Sequence, residues 1–178
     1  KEYDHAMNFK YSSDRIVNTI EKPDHIITAT GNVIYKTEKV REYRFDEEVG
    51  VGEDILFNTM FMMEREQYGL ISSTKMHYRK REDDTSISGD NYHSKIWYQV
   101  LPQKVLMQVI EESIRIHGRV TKYVQNVVAF WCRYSIRNKG IWETLSDEEV
   151  AKFARTYKDL ISVLDDEVII SMRKTSVF

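Results

Sequence analysis

The spacing of apolar positions changes along this chain, and the change suggests two parts. In the run DHIITATGNVIY, from Asp24 to Tyr35, β-branched residues form short apolar pieces on either side of Gly31-Asn32. That pattern predicts strands or irregular structure rather than a helix. In GVGEDILFNTMFMMERE the spacing turns helical, with Ile55, Leu56, Thr59, Met60 and Met63 near one face and Glu53 and Asp54 at its start. Short strands are predicted from Tyr68 through Ile71 and around Met76 to Tyr78, and RKREDDTSISGDN then reads as a polar loop.

The second half reads as helix throughout. Val105, Val109, Ile110 and Ile114 share a face, and Gly118 is a stop before a helix carrying Val120, Tyr123, Val124, Val127, Val128 and Trp131. Ser146 with Glu149 three residues later fits a capping box, opening a helix through Val150, Phe153, Tyr157, Leu160, Ile161 and Leu164. A boundary near Tyr92 to Leu101 therefore divides a mixed part, residues 1–95, from an all-helical part, residues 96–178. Only Pro23 and Pro102 punctuate the chain, which has no low-complexity tract or internal repeat.

Composition narrows the classes. The chain has 178 residues, 42% of them hydrophobic, enough to bury a sizeable core. Its 26 basic and 28 acidic residues give no overall field to recruit nucleic acid or an anionic membrane, so any anion site must rest on local basic clusters. One cysteine, Cys132, excludes an internal disulfide and a cysteine-built zinc site. No run approaches the roughly 18 apolar residues of a membrane span, and no secretory signal opens the chain. The reading is intracellular and cytoplasmic, with peripheral attachment at the inner membrane face left open. Because the chain starts at Lys1 and runs directly into structured-looking sequence, it is expected to be a piece of a longer protein.

Glu53-Asp54 has two readings. Acidic residues at a helix start satisfy free backbone N–H groups and suit the dipole, and a carboxylate there can also accept a proton in catalysis. The loop holding Arg79, Arg81, Ser86 and Ser88 divides in the same way. Glu82, Asp83 and Asp84 can pair with the arginines in a solvated loop, or the guanidinium and hydroxyl groups can hold an anion. Gly31-Asn32 is a turn signal as well as a contact candidate. Met60, Met62 and Met63, with the aromatic residues of the helical part, read as core.

The order FDEEVGVGEDILFN, YGLI, YRKREDDTSIS closely resembles the second half of family 2 glycosyltransferases of the GT-A fold, especially bacterial enzymes of capsule and wall-polymer synthesis. The resemblance rests on Phe45-Asp46, Gly52-Glu53-Asp54, Tyr78-Arg79-Lys80-Arg81, and Ser86 with Ser88, and covers roughly residues 20 to 90. It implies an α/β fold class, the acceptor-side portion of a GT-A-like domain, followed by an α-helical extension. It also implies inverting transfer of a sugar from a nucleotide donor to a glycan or cell-surface polymer. Asp54 matches the family's general base, with Glu53 as an orienting partner; Arg79, Arg81, Ser86 and Ser88 match donor-phosphate contacts. His25, Thr30, Gly31 and Asn32 are the acceptor-side candidates. A helix N-terminus would hold Asp54 ionised and weaken it as a base.

Family members usually hold manganese or magnesium through an Asp-x-Asp motif in the preceding half. Asp83-Asp84 is adjacent rather than spaced and follows the base motif, and His93 is poorly aligned, so no metal ligand is assigned here. The metal and the nucleotide are expected to be held by an N-terminal half outside this chain, which is then a partner alongside donor, acceptor and a further copy of the chain. A different class of function is a non-catalytic helical interaction module attached to a glycosyltransferase remnant.

Overall fold

The computed structural model describes residues 7–75, 77, 94–137 and 140–174. The predicted strand around Met76 to Tyr78 and most of the polar loop lie outside them.

Two short strands, β1 (Arg15–Asn18) and β2 (Gln67–Leu70), form an antiparallel ribbon in which Arg15 faces Leu70 and Asn18 faces Gln67. Between them in sequence lie a 3-10 turn (Thr30–Asn32), α1 (Thr37–Val40) and α2 (Glu53–Arg65). The predicted β or irregular run from Asp24 to Tyr35 is irregular, with no strand.

Glu66 ends α2 in the left-handed region at φ 55°, with its N–H on the Met62 carbonyl. That turn delivers the chain into β2 at once. The Glu66 carbonyl then accepts from both the Thr19 N–H (2.8 Å) and the Thr19 hydroxyl (3.1 Å), which fixes the end of β1 to the end of α2.

The rest of the described chain is helical: α3 (Lys95–Val100), α4 (Met107–His117), α5 (Lys122–Ile136), α6 (Ile141–Thr144), α7 (Asp147–Ser162) and α8 (Asp166–Lys174). A wide π turn, Leu101–Leu106, joins α3 to α4 without a break. Pro102 brings no N–H and its ring crowds the preceding turn, so the helix loosens there; the Met107 N–H reaches back five residues to the Pro102 carbonyl. Gly118 stops α4 at φ 70°, a conformation that costs a residue with a Cβ. Ser146 and Glu149 make the capping box in both directions, the Ser146 N–H donating to the Glu149 carboxylate at 2.8 Å.

One core takes residues from both sides of residue 95. Ile26, Val49, Ile55 and Met62 of the front meet Leu101, Val105, Leu106, Val124, Val127, Val128 and Leu160 of the helices. Burial of each of the larger side chains stabilises by about 1.5–3 kcal/mol. Met62 and Met63 are core, and Met60 packs at its edge. Tyr98, Tyr123 and Tyr157 are buried, whereas Trp142 is 74% exposed and is not core. The Tyr123 hydroxyl sits 3.3 Å from the Ile27 N–H, tying α5 to the segment that leads into the 3-10 turn.

Candidate functional site

Gly52 precedes α2 in the left-handed region at φ 85°, and its bare Cα faces the π turn. The turn aims the first residues of α2, Glu53 and Asp54, away from the core that Ile55 and Leu56 enter. Asp54 is half-buried. Burial, and secondarily the neighbouring Glu53 charge, raise its carboxyl above the ordinary value of 3.8, against backbone N–H groups of Ile55, Asp54 itself and Thr30. Packing therefore works against the expected weakening of this base at the helix start, because lost hydration outweighs the backbone hydrogen bonds that favour the carboxylate.

The Thr30 N–H brings the 3-10 turn to Asp54, so two of the segments singled out in the sequence meet. Gly31 and Asn32 follow in that turn and are exposed. Tyr35 lies close enough to Asp54 for the carboxylate to help raise its phenol to about 12, after burial. Its hydroxyl donates to Asn58 Oδ1, and Asn58 Nδ2 donates to the Asp54 carbonyl at 2.8 Å. Asn58 is buried and stands one turn after Asp54 on the same face. Neither Tyr35 nor Asn58 was singled out from the sequence; the only signal available was the four-residue interval from Asp54 to Asn58.

Aromatic rings cover the same face of α2. Tyr35 and Tyr43 meet Phe57 and Phe61 edge to face, and Phe45 stacks on Phe57 with centroids 4.4 Å apart and planes 13° apart. Phe45 and Asp46 diverge. Asp46 lines an open cleft of about 410 Å³ with Glu48, Lys104, Glu111 and Glu112. Its Oδ1 accepts from the Glu48 N–H at 2.9 Å, and Glu112 pairs with Arg115 at 2.7 Å, so these carboxylates serve local structure.

His25 occupies a different network. Its ring is buried, with Nδ1 2.8 Å from Asp24 Oδ1 and Nε2 3.2 Å from the Arg15 guanidinium. The arrangement suits the neutral ring with its proton on Nδ1, donating to Asp24 and accepting from Arg15. The His25 carbonyl accepts from the Tyr68 hydroxyl at 2.8 Å. No described hydrogen bond joins His25 to Asp54. Beside it Lys10, also buried, donates to the Ile26 carbonyl at 2.6 Å, and burial lowers its ammonium to about 8.

Arg79, Arg81, Ser86, Ser88, Asp83, Asp84 and His93 lie outside the described residues. Among the described residues, no three His, Cys, Asp or Glu side chains are grouped to hold a metal ion. No helix among them is long and apolar enough to cross a membrane.

No family model matches the chain, and no solved structure matches it. The chain is similar to the minor teichoic acid biosynthesis protein GgaB of Bacillus subtilis (strain 168), 30% identical over 179 residues that take in 98% of this chain and 20% of GgaB. It is also similar to the minor teichoic acid biosynthesis protein GgaA of the same organism, 20% identical over 174 residues, 95% of this chain and 39% of GgaA. The chain thus spans 20% of the length of one relative and 39% of the other.

Proposed function

We propose that this chain is the acceptor-side part of a nucleotide-sugar glycosyltransferase that builds a cell-wall polymer, with Asp54 as its general base. The observation that carries the reading is the Asp54 carboxyl, half-buried at the start of α2 and raised above the ordinary carboxylate range beside the Thr30 turn. A raised carboxylate is a stronger base, and its position at an element's end leaves one side open to a substrate. The names of the two similar proteins, both of teichoic acid biosynthesis, support the polymer class.

In the proposed step an acceptor hydroxyl attacks the anomeric carbon of the donor sugar. The new C–O bond forms as the bond to the nucleoside diphosphate breaks, and the diphosphate leaves with that electron pair. The hydroxyl proton passes to Asp54. Glu53 orients acceptor or backbone groups, and its negative charge helps keep the Asp54 proton affinity high. Thr30, Gly31 and Asn32 border the acceptor, while His25 supports that segment from the Asp24 and Arg15 network. Arg79, Arg81, Ser86 and Ser88 are proposed to receive the departing diphosphate with charge-assisted hydrogen bonds. A GT-A-like architecture completed by a nucleotide-binding half belongs to the same proposal, and the divalent metal would be held there; no step above runs through it.

The alternative is a non-catalytic helical module. The core shared by α2 and the later helices supports treating them as one unit with the Asp54 site. The test is Asp54→Asn in the full-length protein, assayed with a panel of nucleotide sugars and glycan or polyol-phosphate acceptors. Turnover is expected to fall at least about a hundredfold with folding intact. A correctly folded Asn variant with near-normal turnover would reject Asp54 as the base. Transfer by neither protein across the panel would favour the module.

A further inference from the structure

We propose that Phe45 is the platform on which a pyranose ring of the acceptor stacks while one of its hydroxyls meets Asp54. The inference rests on the glycosyl-transfer reading and adds a binding residue that the sequence left without a role.

Phe45 lies flat on Phe57, 4.4 Å between centroids and 13° between planes, so one face of its ring is taken. The residue nevertheless remains 47% exposed, whereas Phe57 beneath it is 7% exposed. A ring held flat by a buried ring, with its other face toward solvent, is a preorganised apolar surface rather than a side chain seeking the core. Tyr35 and Tyr43 abut Phe57 edge to face and hold it in place. The loop that presents Phe45 is fixed immediately afterwards by the Asp46 side chain on the Glu48 N–H.

Asp54 and Phe57 are three residues apart on α2, neighbours on one helix face with about 4.5 Å of rise between them. The carboxylate and the buried ring that carries Phe45 thus stand at neighbouring positions of one helix, which places the exposed Phe45 ring one stacked layer out from that position. A sugar ring has matching chemistry: C–H groups on one face and hydroxyls at its rim. Sites for such ligands combine aromatic walls with a few convergent polar groups.

The test uses the full-length protein and its Phe45→Ala, Phe45→Leu and Phe45→Trp variants, with folding checked by circular dichroism. Methyl α-D-glucopyranoside and methyl β-D-galactopyranoside are the ring probes, and glycerol 3-phosphate is the ring-free control. Binding is read by saturation-transfer NMR titration, acceptor KM and kcat by the transfer assay. Phe45→Ala and Phe45→Leu are expected to weaken glycoside binding about three- to tenfold, the scale of one aromatic stacking contact. Phe45→Trp should retain it, and glycerol 3-phosphate should not respond to Phe45. Equal glycoside affinity in parent and Phe45→Ala, or an equal loss with the ring-free control, overturns the platform. Glycoside binding that depends on Phe45 without any transfer would sink the transferase reading alone. Transfer with unchanged acceptor KM and kcat in Phe45→Ala would sink the platform alone.

Discussion

Gly52 packs against Leu101: a Cβ placed on Gly52 would stand 3.0 Å from Leu101 Cδ1 and 3.2 Å from Val105 Cγ2. The residue two positions before the candidate base is thereby seated on the π turn that Pro102 imposes. Its φ of 85° adds a second demand for glycine. Gly52→Ala should cost about 2–4 kcal/mol, from the left-handed backbone and from crowding a filled core. Urea unfolding measures it, and a loss under about 0.5 kcal/mol, the usual range for an inconsequential surface change, would show that neither demand holds.

Asp54→Asn should leave the protein at least as stable as the parent at neutral pH. A carboxyl raised in the folded state binds its proton more tightly there than in the unfolded chain. Folding therefore gains as pH falls from the raised value toward the ordinary 3.8, and is penalised above it. The Asn variant lacks that penalty. Melting temperatures at neutral and mildly acid pH check the sign: the advantage of the variant should shrink on acidification, and an advantage that grows would contradict it.

Glu149 titrates in the opposite sense. Lys95 at 2.7 Å and the Ser146 N–H hold its carboxyl down to about 2 from an ordinary 4.5. Stability from this group is complete above about pH 4.5 and drains away as pH falls toward 2. The stability gap between parent and Glu149→Gln should follow that course in denaturant titrations. Lys95→Met should diminish the dependence, since Lys95 on α3 is the largest contributor; a gap indifferent to Lys95 would assign the effect to the cap alone.

Lys10 has the third signature. Burial favours its neutral form, lowering the ammonium from 10.5 to about 8. The unfolded chain binds the proton more tightly between those values, so stability should rise with pH across the window from about 8 to 10.5. Tyr11 and Tyr68 face the amine, and Arg15 donates to the Lys10 carbonyl, so other groups titrate nearby. Subtracting the pH profile of Lys10→Met from that of the parent isolates the lysine. A difference curve flat across this window would mean that the amine is hydrated.

Local hydrogen bonding made several elements legible in advance. Ser146 with Glu149, Gly118 after Ile114 and the acidic start of α2 are signals whose partners lie within one helical turn, so a few consecutive residues decide them. The ribbon was half legible: β2 was expected near its place, but β1 has only four residues and exists through pairing with a partner about fifty positions away. The helix running through Pro102 was hidden too, because its loosening into a π turn is compensated by complete burial of Leu101, Val105 and Leu106.

For the site, the sequence by itself determined which residues carry acid, amide and ring, and that Asp54 opens an apolar helix. Only the tertiary structure decided what surrounds that carboxyl. Thr30 and Tyr35 reach it from a segment some twenty residues earlier, Phe45 stacks where Asp46 turns away, and His25 is drawn into a separate network with Arg15. The direction of the Asp54 shift was misread for the same reason. A helix start can be inferred from residues in order along a chain, but loss of water depends on everything packed around a group, and here that loss is the largest cause of the shift.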